Sequence, residues 1–277
     1  MKFQYLGTAA AEGWPGIFCQ CEFCKKAIKA GGRNIRTRSQ AIVDDKLLID
    51  FPPDTYMHVL YGGLDLASVK HCLLTHNHSD HLYPEDIGMR RTGFAHFTEE
   101  ACLTFYGTEG VGVPVKKEME DARLERDNRV AFQVITPFHP FTVEEYTVIP
   151  LRADHSASSD PVIYVIQKED KTLLYANDTG YFPDVSWEYL EKNEIKFDFV
   201  SLDCTCGLLD CSRGHMGFST CIEVKERLIC TGCTKENTRF CLHHFSHNGK
   251  AIYDELVPLA EKEGFLVSYD GMIVRIE

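Results

Sequence analysis

The segment Thr75-His76-Asn77-His78-Ser79-Asp80-His81 places three histidines and an aspartate within six consecutive positions, directly after the apolar run Cys72-Leu73-Leu74. Such a density of imidazole and carboxylate at the end of a strand-like run points to a metal site, because these groups are the usual ligands of zinc, manganese and iron. Side chains two apart on an extended segment point the same way, so His76 and His78 can grip one ion. Once the chain turns, Asp80 and His81 can reach a second. A single ion, with the remaining groups as its outer hydrogen-bond partners, is the rival arrangement. Either one requires a fold that delivers more ligands to the end of this strand.

Three later segments repeat the pattern of a short strand ending in a ligand-type residue. They are Thr147 to Arg152 running into Ala153-Asp154-His155-Ser156, Thr172 to Ala176 ending in Asn177-Asp178-Thr179-Gly180, and Arg239 to Leu242 ending in His243-His244-Phe245-Ser246-His247. Each alone is weak evidence; together with the first cluster they supply ligands for two ions. A separate group, Cys19-x-Cys21-x2-Cys24, has the spacing at which three thiolates wrap one tetrahedral zinc, with a fourth ligand from elsewhere. Cys204, Cys206 and Cys211, and Cys230 and Cys233 with Cys241, read as incidental thiols, and Cys72 and Cys102 as core residues.

The remaining sequence reads as an α/β chain forming one domain over 1–277, long enough to bury a large core. Expected strands are 2–7, 40–44, 46–50, 70–74, 131–136, 147–152, 162–168, 171–176, 197–203, 239–244 and 271–276. Expected helices are 22–30, 54–61, 115–126, 184–193, 219–229 and 250–261, and the charged stretch Lys116 to Arg129 reads as a solvated helical face. Two strand-rich halves, each followed by helices, predict sheets packed face to face with helices outside. No apolar run approaches the roughly 18 residues of a membrane span. The N-terminus enters strand-like sequence without a secretion signal, and twelve cysteines then suggest reduced thiols in the cytoplasm. The net charge of −12 disfavours nucleic acid as a partner.

His76-x-His78-x-Asp80-His81 resembles the signature of the metallo-β-lactamase superfamily, whose fold is a four-layer αβ/βα sandwich. Gly7-Thr8-Ala9 to Gly13, the Cys19 to Cys24 cluster, Leu48-Ile49-Asp50, Asn177-Asp178-Thr179, Leu202-Asp203-Cys204, His244-Phe245-Ser246-His247 and Tyr269 to Met272 are similar to the PhnP-like branch of phosphoribosyl cyclic phosphodiesterases. The resemblance implies two active-site divalent ions, zinc or manganese: His76, His78 and His155 on one, Asp80, His81 and His244 on the other, and Asp178 bridging. His243 is the alternative to His244, but only His244 matches the His-x-Ser-His register. The branch also implies a structural zinc on Cys19, Cys21, Cys24 and His247.

The activity implied by the resemblance is hydrolysis of a small cyclic phosphate diester. Two cations make a hydroxide available near neutral pH, this attacks phosphorus in line, and the departing alkoxide takes a proton. His215 matches the branch's proton donor, alongside Asp80 and Asp178 as catalytic groups; capping of the following helix is the other reading of His215. A homodimer is among the assemblies implied. Arg90, Arg91, Arg152 and Arg213 are candidates to hold a phosphate. Pro84 stands where the family motif has glycine, followed by the acids Glu85 and Asp86. The alternatives are an RNase Z-like endonuclease acting on tRNA 3′ ends, hydrolysis of a thioester or lactam, and a non-catalytic metal-binding scaffold.

Overall fold

The computed structural model describes residues 1–98, 102–124 and 128–277. The first half of the chain supplies β1 (Lys2–Gly7), β2 (Gln40–Val43), β3 (Leu47–Ile49), β4 (His71–Leu73), β5 (Leu103–Gly107) and β6 (Val130–Val134). The second supplies β7 (Phe141–Val143), β8 (Tyr146–Arg152), β9 (Val162–Lys168), β10 (Lys171–Ala176), β11 (Phe197–Asp203), β12 (Thr234–His243) and β13 (Phe265–Val267), before β14 (Ile273–Arg275) returns to the first sheet. The two seven-stranded sheets have the orders β14-β1-β2-β3-β4-β5-β6 and β13-β12-β11-β10-β9-β8-β7.

Strand alternation explains how the layers assemble. Phe3, Tyr5, Val43 and Ile49 point from the first sheet toward Val148, Tyr164, Ile166, Leu173, Tyr175 and Phe199 of the second, and form the core between the sheets. The intervening residues point outward. On the second sheet Leu174, Ala176, Val200 and Leu202 meet Trp187 and Leu190 of α4 (Asp184–Lys192), Val224 and Leu228 of α5 (Phe218–Cys230) and Leu256 of α6 (Tyr253–Lys262). On the first sheet Ile42, Leu48 and Phe105 meet Val111, Val115 and Met119 of α3 (Glu109–Asp121). Helices α1 (Glu22–Ala30) and α2 (Thr55–Tyr61) complete the α-helices among the described residues. Both faces of both sheets are covered, which is why strands such as β2, β3 and β10 read as nearly unbroken apolar runs. The result is the expected four-layer αβ/βα sandwich.

Several boundaries differ from the pattern. Helix α3 starts at Glu109 and ends at Asp121, because Val111, Gly112, Val115 and Met119 form its buried stripe, and Pro114 lies inside it. The stretch Lys116 to Arg129 is therefore helix only to Asp121, and residues 125–127 lie outside the described residues. Strands β5, β7 and β13 are additional to the expected set; β7 and β13 have three residues each and are held by pairing with β8 and β12. Cys72 is buried as expected, whereas Cys102 is only half-buried. None of the twelve cysteines is in a disulfide. Among the described residues no helix is long and apolar enough to cross a membrane.

Candidate metal centre

Strand pairing brings the separated motifs to one sheet edge. In the second sheet, parallel pairing sets Ala176 beside Leu202 and Asp203 beside His243, so the chain leaves β10, β11 and β12 at the same end with Asp178, Thr205 and His244 as neighbours. Strand β8 runs antiparallel to β9, and β9 to β10, so β8 delivers His155 to that same end. Across the sandwich, parallel pairing of Ile49 with Leu73 places Asp50 against the start of the His76–His81 loop. Asp50, Asp178 and His244 have left-handed backbones, with φ of 66°, 49° and 61°. Non-glycine residues adopt this conformation only where surrounding structure compels it, and such positions cluster at functional sites. Each turns the chain sharply as it leaves its strand.

His76, His78 and His155 form one group, and Asp80, His81, Asp178 and His244 a second, with donor atoms in each group within 4.8 Å of one another. Within the second group His81 Nε2 lies 3.1 Å from His244 Nε2, and the two lie 2.9 and 3.2 Å from Asp178 Oδ2. In the first, His155 Nε2 lies 3.2 Å from His78 Nδ1. Asp178 Oδ1 reaches across to within 3.9 Å of His155 Nε2.

Which nitrogen of each ring holds its proton is set by the outer partners. His81 Nδ1 donates to Asp50 Oδ2 at 2.7 Å, and His155 Nδ1 to the Gly214 carbonyl at 2.9 Å. Thr75 Oγ1 donates to Asp50 Oδ1 and accepts from His76 Nδ1 at 3.1 Å; Thr205 Oγ1 donates to Asp203 Oδ2 and accepts from His244 Nδ1 at 2.7 Å. The inward nitrogens of the neutral rings His76 and His244 are then lone pairs facing other donor atoms and the Asp178 carboxylate. His76 Nε2 and Asp178 Oδ2 are buried without a hydrogen bond. Such facing lone pairs repel unless a cation lies between them, so the donor set fits divalent metal, and outer partners that orient imidazole ligands are the usual accompaniment.

The electrostatics point the same way. Burial opposes charge on Asp80 and Asp178, yet neighbouring imidazoles hold both carboxyls below the ordinary range, so both stay ionised. Burial also opposes charge on His81, but Asp178, Asp80 and Asp50 outweigh it and raise its pKa well above the usual imidazole value. The carboxylates thus create a potential that favours positive charge at this position. His76 and His244 are held neutral, chiefly by burial.

His215 borders this centre. Its ring stacks on that of His244, with centroids 5.9 Å apart and planes 18° from parallel, and its Nδ1 donates to Asp203 Oδ2 at 3.0 Å. Asp203, fully buried, also accepts from the amides of Asp178, Thr205 and Met216 at 3.0, 3.0 and 3.1 Å. Burial disfavours the His215 imidazolium, but Asp203 and then Asp178 outweigh it and raise the pKa to about 9. His215 lies at the rim of the centre, 30% exposed. Its loop is fastened by Asp154, whose Oδ2 accepts from the Gly214 amide at 3.1 Å and from Arg213 Nε at 2.9 Å. Gly180 permits that approach: a Cβ there would come within 2.5 Å of Asp154 Oδ2 and of the Ser212 carbonyl.

Asp50, Asp154, Asp203 and Thr205 do not stand out as site residues in the sequence, although each lies at or just past a strand end like the residues that do. His243 turns away from the centre, its ring between Ser39 Oγ at 3.0 Å and Ser268 Oγ at 2.9 Å, so His244 is the one that joins. Of the four arginines, Arg90 donates to the Arg129 carbonyl and lies over Phe97, Arg91 lies over Phe94, and Arg152 pairs with Asp160. Arg213, 85% exposed and two residues from His215, is the one beside the centre.

Cys19, Cys21, Cys24 and His247 form a further group, in which His247 Nδ1 lies 3.7 Å from Cys19 Sγ and 3.5 Å from Cys21 Sγ. His247 Nε2 faces Glu12 Oε1 at 3.4 Å. Burial opposes ionisation of Cys21, yet the Cys24 amide and the Cys19 thiol bring its pKa down to about 7, while burial pushes Cys24 up to about 12. Three sulfurs and one nitrogen converging without oxygen donors suit tetrahedral zinc. Cys204, Cys206, Cys211, Cys230, Cys233 and Cys241 belong to none of the metal-type groups among the described residues.

Known proteins share this architecture. The family model for the β-lactamase superfamily domain matches residues 47–245. A diphosphatase from the PhnP family is similar over 100% of this chain and 98% of its own, at 20% identity and a TM-score of 0.73. Zn2+-bound PqqB from Methylobacterium extorquens is similar over 99% of this chain and 100% of its own, at 19% identity and a TM-score of 0.76. The short form of human tRNase Z is similar over 100% of both chains, at 15% identity and a TM-score of 0.68. No curated protein matches the sequence. The chain belongs to the β-lactamase superfamily, with the fold and the histidine–aspartate constellation of its metal-dependent hydrolases.

Proposed function

We propose that the protein is a metal-dependent phosphodiesterase that opens a small cyclic phosphate diester. His76, His78 and His155 would hold one divalent ion, zinc or manganese; Asp80, His81 and His244 would hold the other; and Asp178, whose carboxylate lies near both groups, would serve both. When bound, such a pair supplies Lewis acidity toward a phosphoryl oxygen and lowers the pKa of water at the site. The observation that carries the reading is the His215–Asp203 pair beside Asp178. Asp203 holds the His215 proton on Nδ1 and favours the charged ring, leaving the Nε2 proton free to pass to a departing alkoxide. Asp154 holds the loop so that this donor keeps its place above His244 and His155.

Arg213 is the side chain best placed to orient the substrate's phosphate, since Asp154 engages its Nε and its remaining N–H groups point to solvent. The cysteine group with His247 would hold a structural zinc, tying the N-terminal loop to the segment carrying His244. A net charge of −12 supports a small substrate over a polynucleotide.

Metal analysis paired with a substrate panel tests the proposal: bis-p-nitrophenyl phosphate, a cyclic ribose phosphate, 2′,3′-cyclic nucleotides and a precursor tRNA. Turnover of cyclic diesters is expected. Cleavage of the tRNA alone, or no turnover at full metal occupancy, would overturn it.

A further inference from the structure

The loop between β11 and α5 carries two thiols as well as His215. The Cys206 amide donates to the Met216 carbonyl at 3.0 Å, and the Cys211 carbonyl accepts from the Gly217 amide at 2.8 Å. Both ends of the segment between the cysteines are thus fastened to the one peptide unit Met216–Gly217. A turn closed by the Leu209 amide on the Cys206 carbonyl at 2.9 Å folds that segment back on itself. The side chains meet as well: burial first, and then the neighbouring Cys211 thiol, push the Cys206 pKa above the ordinary thiol value. Each thiol is half-buried, within reach of a small solute.

The other cysteines are placed differently. Cys19, Cys21 and Cys24 belong to the zinc-type group. Cys204 and Cys221 also interact, but both are fully buried. Cys230 is exposed and Cys233 buried, so the Cys-x2-Cys spacing sets its two thiols in unlike surroundings. Cys211, moreover, is tied to the proposed proton donor. Its Sγ donates to the His215 carbonyl at 3.3 Å, and the Met216 amide that follows donates to Asp203 Oδ1 at 3.1 Å. The sulfur that faces Cys206 is therefore the one that holds the His215 backbone.

We propose that Cys206 and Cys211 form a reversible disulfide, with a hydroperoxide as the oxidant, and that this bond releases the His215 backbone. Burial makes Cys206 the poorer thiolate, so Cys211 meets the peroxide. Its sulfur attacks one peroxide oxygen, the O–O bond breaks, the other oxygen leaves as water or alcohol, and Cys211 becomes a sulfenic acid. The Cys206 sulfur then displaces the sulfenic hydroxyl, which departs as water with the Cys206 proton, and the S–S bond forms. Two electrons pass from the sulfurs to the peroxide. A dithiol reverses the change by exchange, its own sulfurs ending as the disulfide. In the bonded form Cys211 has no S–H for the His215 carbonyl, and its sulfur sits about 2 Å from that of Cys206. Displacing a reacting group by about 1 Å costs up to about 100-fold in rate. The effect on turnover rests on the proposed function; the bond and the movement of His215 do not.

The zinc-loaded protein treated with hydrogen peroxide supplies the test, read by peptide mapping, by the His215 imidazole resonance and by turnover of bis-p-nitrophenyl phosphate. The resonance is assigned by its loss in His215→Ala. A tryptic peptide lighter by two hydrogens is expected, with fragmentation placing the bond between Cys206 and Cys211. The resonance shifts, kcat falls about 10-fold or more, and dithiothreitol reverses all three while metal content stays constant. Cys211→Ser, whose hydroxyl still donates to the His215 carbonyl, forms no bond and keeps its kcat and resonance through the treatment. Cys206→Ser serves as the second variant with the same outcome, and Cys230→Ser responds as wild type does. Thiols that stay free, a bond between other cysteines, or a Cys206–Cys211 bond that leaves the His215 resonance unmoved would overturn the proposal. A bond that shifts the resonance in a protein whose reduced form turns over no diester would uphold it and overturn the proposed function instead.

Discussion

Replacing Asp203 by asparagine removes one negative charge and almost no volume, so its consequences can be worked from the hydrogen bonds alone. Oδ2 accepts from His215 Nδ1, Thr205 Oγ1 and the Asp178 amide, and Oδ1 from the amides of Thr205 and Met216. An asparagine keeps one of these oxygens and presents an NH2 in place of the other. One orientation sets that NH2 against the His215 Nδ1 and Asp178 amide donors, the other against the Thr205 and Met216 amides. Each buried donor left unpaired costs about 1–3 kcal/mol, so the variant loses about 2–6 kcal/mol. For a chain of this size that lowers Tm by roughly 5–15 °C.

The catalytic effect is separate. Without the carboxylate, His215 loses both the acceptor that fixes its tautomer and the anion that raises its pKa, and kcat falls by about 10²–10⁴-fold. The direction of the shift gives the sign of the pH effect. His215 is raised to about 9, so its acid form persists through neutral pH and is lost as pH climbs through that value. In Asp203→Asn the descending limb of kcat moves to lower pH. Initial rates with bis-p-nitrophenyl phosphate across pH, read beside metal content and thermal melts, supply the measurement. A variant with wild-type kcat, limb and Tm would show that Asp203 does not govern His215.

Further outcomes are expected at neighbouring residues. His215→Ala keeps its metal content but loses about 10²-fold or more in kcat; unchanged turnover removes His215 from the mechanism. Asp178→Ala binds fewer than two active-site ions and is inactive, and retention of both ions with normal activity rejects its shared role. Cys21→Ser loses about one zinc beyond the active-site pair and melts several degrees lower; full metal with full thermal stability argues against the structural site. Exhaustive chelation abolishes turnover, and zinc or manganese restores it.

Much of the site is readable because its chemistry is concentrated in few residue types. The His76–His81 segment names its purpose locally, and His155, Asp178 and His244 repeat a strand followed by a ligand-type residue. Asp50 and Asp203 obey the same rule, yet a single aspartate after a strand is indistinguishable from a turn residue until its partner is known. Those partners come from other strands: His81 for Asp50 and His215 for Asp203. The bounds of helix α3 escape the sequence for a related reason. Its charges are visible there, whereas its start depends on which apolar residues meet the first sheet.

By itself, then, the sequence determined the kinds of donor, the strand ends on which they sit and the two covered sheets, because ligand chemistry and apolar periodicity are local properties. Tertiary structure decided the rest. Parallel pairing of β10, β11 and β12 made neighbours of Asp178, Asp203 and His244, and the left-handed turn at His244 separated its role from that of His243. The fold also joined Cys19 to His247, 228 positions later in the chain. It likewise chose which side of α2 faces water, because His58 finds its hydrogen-bond partners only in the interior. These are long-range facts: each depends on two segments meeting, and no single segment contains them.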